Sequence, residues 1–174
     1  MTDLFQKVTD SQDAFKKLAS HIPGFKGYIE RQNRRAADKL MRETIADRFQ
    51  EQWTRASELQ VELINGGMIA YVDDMERAAI QMRTFIDKIR TASYGYSGLF
   101  DAVKINEEEL AQLYAFDQGF FLAAEEIARA LDNVEASLHD EAGLPAAIRN
   151  VTTLARQSTE AFGRRSEVFT GSEA

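Results

Sequence analysis

The sequence predicts an all-α protein, an elongated antiparallel bundle of about five helices built on a long helical hairpin. Three observations predict it. Helix breakers are few: the two prolines are Pro23 and Pro145, and most of the ten glycines fall in tight groups such as Gly24/Gly27, Gly66-Gly67 and Gly95/Gly98. Between the groups, apolar residues recur every three or four positions. No alternating run of β-branched residues reaches strand length.

The first helix is expected over 3–21. Leu4, Phe5, Val8, Phe15, Leu18, Ala19 and Ile22 follow helical spacing. His21-Ile22-Pro23-Gly24 stops it, because the residue before proline avoids the α region. A long helix is expected over 25–64, with Leu40, Met41, Ile45, Phe49, Trp53, Ala56, Leu59 and Leu63 as its apolar positions. Asn65-Gly66-Gly67 ends it as a cap and turn. Over 68–93, Met68, Val72, Met75, Ala79, Met82, Ile86 and Ile89 alternate spacings of four and three, a heptad seam. Tyr71, Ala78 and Phe85 widen that stripe to the width a globular bundle uses.

Residues 94–106 are glycine-rich and aromatic, and read as a loop. Asn106 and Glu109 have capping-box spacing, so the next helix is expected over 107–141. Its seam is Leu110, Leu113, Asp117, Phe120, Ala124, Ile127, Leu131, Val134 and Leu138, apolar but for the aspartate. Pro145 suits the first turn of a last helix over 145–162. Its stripe is Ile148, Val151, Ala155, Ser158 and Phe162, and 163–174 reads as a flexible tail. Residues 1–162 then form one domain. Its core is three antiparallel helices (25–64, 68–93 and 107–141), on which the first and last pack.

Composition narrows the function. The chain has 174 residues, a net charge of −7, two histidines and no cysteine. That excludes disulfides, thiolate nucleophiles and cysteine-ligated metal. A di-iron carboxylate site needs Glu-x-x-His on two helices. His21 follows Leu18 and His139 follows Ala136 at that spacing, so neither fits. No G-x-S-x-G elbow and no phosphate-binding glycine loop occurs. No catalytic residue, cofactor or metal is expected. The N-terminal residues lack the basic start and apolar run of an export signal, so a cytoplasmic location is expected.

The charge is divided along the chain. Residues 16–48 hold nine bases and four acids, and residues 101–142 hold two bases and eleven acids. Arg31, Arg34, Arg35, Lys39 and Arg42 fall at spacings that place several on one helix face. Folding at Gly66-Gly67 sets residue 93 opposite about residue 40. The basic face would then project about 20 Å beyond the hairpin.

The leading expectation is a non-enzymatic scaffold that self-associates, or binds a protein partner, through complementary basic (16–48) and acidic (101–142) surfaces. The alternative is a peripheral binder of anionic lipid or a phosphate-bearing ligand through the basic face, with an enzyme third. The acidic net charge disfavours nucleic acid. Acids beside the apolar face of the first helix weaken a membrane-surface reading. Tyr94, Tyr96 and Phe100 are a candidate partner-binding knob, though capping the bundle end is the simpler role. Asp117 on an apolar seam must pair or protonate. The expected register makes Arg83 or Arg48 its partner and gives it a structural role.

Overall fold

The computed structural model describes residues 11–30, 34–92 and 107–165. Six α-helices make up nearly all of them: α1 (Ser11–His21), α2 (Phe25–Glu30), α3 (Arg34–Asn65), α4 (Val72–Thr91), α5 (Glu107–Ala136) and α6 (Leu144–Gly163). A 3-10 turn, Ile69–Tyr71, leads into α4. No strand occurs among the described residues, and none of their helices is long and apolar enough to cross a membrane.

Most positions of the expected seams are buried, and Leu40, Trp53, Met68, Val72, Leu110 and Leu138 are half-buried against the same core. On α4, Met75, Ala78, Ala79, Met82, Phe85, Ile86 and Ile89 are buried. The whole expected stripe of α6, from Ile148 to Phe162, is buried as well. Helix α3 packs on α4, α4 on α6, α6 on α5, and α5 back on α3, closing a four-helix ring. The last helix therefore completes the bundle instead of decorating a three-helix core. One phenylalanine from each ring helix meets at the centre. Phe85 lies 4.2 Å from Phe49, 5.7 Å from Phe120 and 6.3 Å from Phe162, centroid to centroid.

The α3–α4 turn follows from its glycines. Met68 N–H donates to Leu63 O (2.8 Å) and Gly67 N–H to Ile64 O (3.1 Å), the paired bonds of a Schellman cap. Gly67 has φ +75°, the left-handed conformation that this cap requires. Nothing lies within 4 Å of where its Cβ would be, so backbone strain alone opposes a side chain. Gly67→Ala is expected to cost about 1 kcal/mol, and Gly67→Asn less, by urea unfolding.

The expected helix over 25–64 is corrected. Helix α2 packs against α3 instead of extending it, and a Cβ on Gly24 would sit 3.9 Å from Leu40 Cδ2. A continuous helix would hold residues 24 and 40 about 24 Å apart. Phe25 supplies the reason: it is fully buried, 5.9 Å from Phe15 and 5.3 Å from Tyr114. Burying that ring requires α2 to fold back, so the projecting basic face does not form. Three smaller corrections follow. Residues 68–71 stand before α4, α5 ends at Ala136, and residues 163–165 are built into the fold.

Register is the larger correction. Between α3 and α4 it matches expectation to within about a turn, with Arg90 Nη2 bonding Asp47 Oδ1 (3.1 Å) and Gln60 Nε2 bonding Glu76 Oε2 (2.7 Å). Helix α5 runs parallel to α3, as the first and third helices of an up-down-up core should, but residue 117 is level with 38 and residue 132 with 55. Asp117 thus stands ten residues, about 15 Å, from the expected level of residue 48. The tight Gly66-Gly67 turn sets one register. The longer connection from α4 to α5 leaves the other to packing.

Candidate functional site

Four charged side chains meet inside the bundle. They come from the start of α3, the first third of α5 and the residues just after α6. Asp117 is fully buried and held bidentately: Arg165 Nε donates to its Oδ1 and Nη2 to its Oδ2, both at 2.7 Å. Arg165 Nη2 also donates to Asp38 Oδ1 at 2.7 Å. Asp38 Oδ2 accepts from Arg42 Nε at 2.9 Å. Arg42 Nη1 reaches Ile89 O (3.3 Å), in the last turn of α4, where carbonyls lack helical partners and a cation suits the dipole.

Two acids and two bases therefore close on one another, and all four carboxylate oxygens accept a charge-assisted bond. Burial pushes the Asp117 carboxyl above its ordinary value, against the pull of the adjacent Arg165. Burial and the Asp117 charge likewise push the Tyr114 phenol upward. Carboxylates bonded in this way tie α3, α5 and the end of α6 together. Among the described residues, no three His, Cys, Asp or Glu side chains are grouped to hold a metal.

Arg165 replaces both expected partners of Asp117. Arg83 lies over the Trp53 ring at 5.4 Å and within 3.4 Å of Asp87, and Arg48 is exposed. The register shift removes both from reach. A sequence signal for Arg165 exists, since it extends the α6 stripe Val151, Ala155, Ser158, Phe162 by one further step of three.

The expected basic face is divided by the fold. Arg42 is buried in the network, so it is corrected from a surface residue to a core one. Arg34 is half-buried, and its charge opposes the upward shift of Tyr114. Arg35 and Lys39 are exposed, with Lys39 Nζ 3.8 Å from Glu43. Arg31, Tyr94, Tyr96 and Phe100 lie outside the described residues.

An open cleft of about 180 Å³ lies among α1, α3 and α5, lined by His21, Arg48, Gln52, Phe121 and Glu125 among others. His21 stacks on Phe121 at 4.8 Å, and Gln118 Nε2 lies 3.4 Å from its Nε2. The buried Gln52 Oε1 has no protein partner among the described residues. The cleft mixes both signs of charge and suits a few waters more than a defined anion.

Among the described residues, four of the five exposed large hydrophobic side chains lie on the α3–α4 hairpin. Ile64, Ile69 and Ile80 are 52%, 69% and 51% exposed, and Val61 is 54% exposed. The Gln60–Glu76 bond links the two helices on this face, and Ile64, Ile69 and Ile80 all fall within about 40° of it in helical phase. Residues 58–77 hold five acids and one base, but by helical phase only Asp73, Glu76 and Arg77 of these fall on the patch's side, with Arg83 one turn beyond Ile80. At the opposite end, described residues 15–30 and 34–43 hold seven bases and three acids. The hairpin end of α3–α4 is therefore acidic, while at the network end the bases of α1–α3 stand with the acids Glu108 and Glu109 at the start of α5.

No protein-family model, curated protein or solved structure matches this chain.

Proposed function

We propose that this chain is a non-enzymatic helical interaction module, a self-associating or partner-binding scaffold that uses the outer face of the α3–α4 hairpin. One observation carries the reading: Ile64, Ile69 and Ile80, each more than half exposed, flank the Gln60–Glu76 bond on one side of the hairpin. Exposed aliphatics gathered on one face and rimmed by polar groups mark interaction sites. The closed Asp38–Arg42–Asp117–Arg165 network supports the non-enzymatic part, because its carboxylates are occupied by structural bonds.

Photo-crosslinking tests this. A benzophenone side chain at Ile69 or Ile80 is expected to give discrete protein adducts in the cells that make this chain. The same group at exposed Arg149 or Arg156 on α6 is expected to give none. Equal labelling at all four positions, or none at Ile69 and Ile80, overturns the reading.

A further inference from the structure

We propose that α1 and α2 form a strap that opens as a unit before the four-helix ring unfolds, and that this strap is the lid over the buried Asp38–Arg42–Asp117–Arg165 network. The inference is independent of the hairpin face.

The ring closes without the strap. Its centre is built from Phe49, Phe85, Phe120 and Phe162, one from each ring helix. Helix α1 lies on α5 and α2 on α3, so the pair spans the α3–α5 edge from outside. The strap has a small core of its own. Leu18, Ile22 and Phe25 are buried, and Phe15 and Phe25 lie 6.5 Å and 5.3 Å from Tyr114 of α5. At eleven and six residues, both helices are too short to persist in isolation. Docking through these few side chains therefore holds them folded, which places them at the low-stability end of the structure. Two contacts join them into one unit: Phe25 N–H donates to Ile22 O (3.2 Å) across the turn, and Phe15 lies 5.9 Å from Phe25.

Tyr114 connects the strap to the network. Its ring packs under Phe15 and Phe25, while its phenol feels the charges of Asp117, Asp38, Arg34 and Arg165. Tyr114 and Asp117 are three residues apart and share a face of α5. Lifting the strap bares Tyr114 and opens a path for water to four charged residues that are at most 7% exposed. Water raises the local dielectric and weakens their attraction. The position of the strap thus sets how firmly α3, α5 and the end of α6 are tied.

Hydrogen exchange of the full chain, read by mass spectrometry, tests this. In the unmodified protein, amides of α1 and α2 are expected to be protected, yet to exchange well before those of α4 and α6. Phe25→Ala is expected to speed exchange in both α1 and α2 by about 100-fold, or to the unprotected limit, and to leave α4 and α6 unchanged. Leu18→Ala, on the other helix, is expected to speed the same two helices. Nitration of Tyr114 by tetranitromethane, located by peptide mapping, is expected to rise in both variants.

Equal protection of the strap and α4 in the unmodified chain overturns the proposal. Exchange that rises equally in every helix of the variants does so too, since strap and ring would then unfold together. Exchange of α1 that rises without α2 overturns the single unit. Unchanged nitration of Tyr114 overturns the lid.

Discussion

Arg165→Ala is expected to lower the melting temperature by about 10 °C. Removing one partner of a buried ion pair costs about 3–5 kcal/mol, because the other charge is left without compensation. In a chain of this size each kcal/mol is about 2–4 °C. Here two carboxylates are affected, since Arg165 holds both oxygens of Asp117 and one of Asp38.

The pH dependence has a definite sign. Burial already raises the Asp117 carboxyl, and losing Arg165 removes the main opposing pull. A raised carboxyl binds its proton more tightly in the folded state, so stability falls as pH rises through the window above the unfolded value of 3.8. The loss in Arg165→Ala should therefore be larger at neutral pH than near about pH 4, where Asp117 becomes neutral. Urea unfolding across that range measures it, and a loss independent of pH would show that Asp117 carries no charge in the core. Asp117→Ala also lowers the melting temperature. Asp117→Leu combined with Arg165→Met is expected to recover most of the loss, because Asp38 keeps Arg42 and an apolar pair needs no charge compensation.

Phe85→Ala is expected to cost about 3–5 kcal/mol, the range for deleting a buried aromatic ring. Phe85 is fully buried, and it alone among the four central rings lies within ring-contact distance of the other three. Removing it opens a void where all four helices meet, and they cannot close it without changing their separation. Phe85→Leu keeps most of the volume and should cost less. A loss below 1 kcal/mol in thermal unfolding would mean the ring helices do not meet at Phe85.

Much of the fold is legible in the sequence because it depends on local chemistry. The heptad positions of α4 from Met75 onward and the stripe of α6 are buried where spacing places them. Gly66-Gly67 fixes the α3–α4 hairpin, since only glycine takes the left-handed cap without strain. Asp117 announces itself as a polar residue on an apolar seam. The candidate surfaces were less legible. Arg42 reads as a surface base because it belongs to a basic run, and nothing local says that Asp38, one turn earlier, turns it inward. Phe25 lies outside the α3 stripe, so spacing cannot show that it folds α2 back. Ile64, Ile69 and Ile80 lie off the apolar seams, and only the pairing of α3 with α4 brings them to one face.

The sequence by itself determined the helices, their inward faces, one tight turn and the unequal distribution of charge. All of these follow from backbone preference and from residues within a few positions of one another. Only the tertiary structure decided how far α5 is shifted along α3, that Arg165 is the partner of Asp117, and that Ile64, Ile69 and Ile80 share one exposed face. Those depend on register across a long connection, and register is set by packing and charge pairing between residues far apart in the chain.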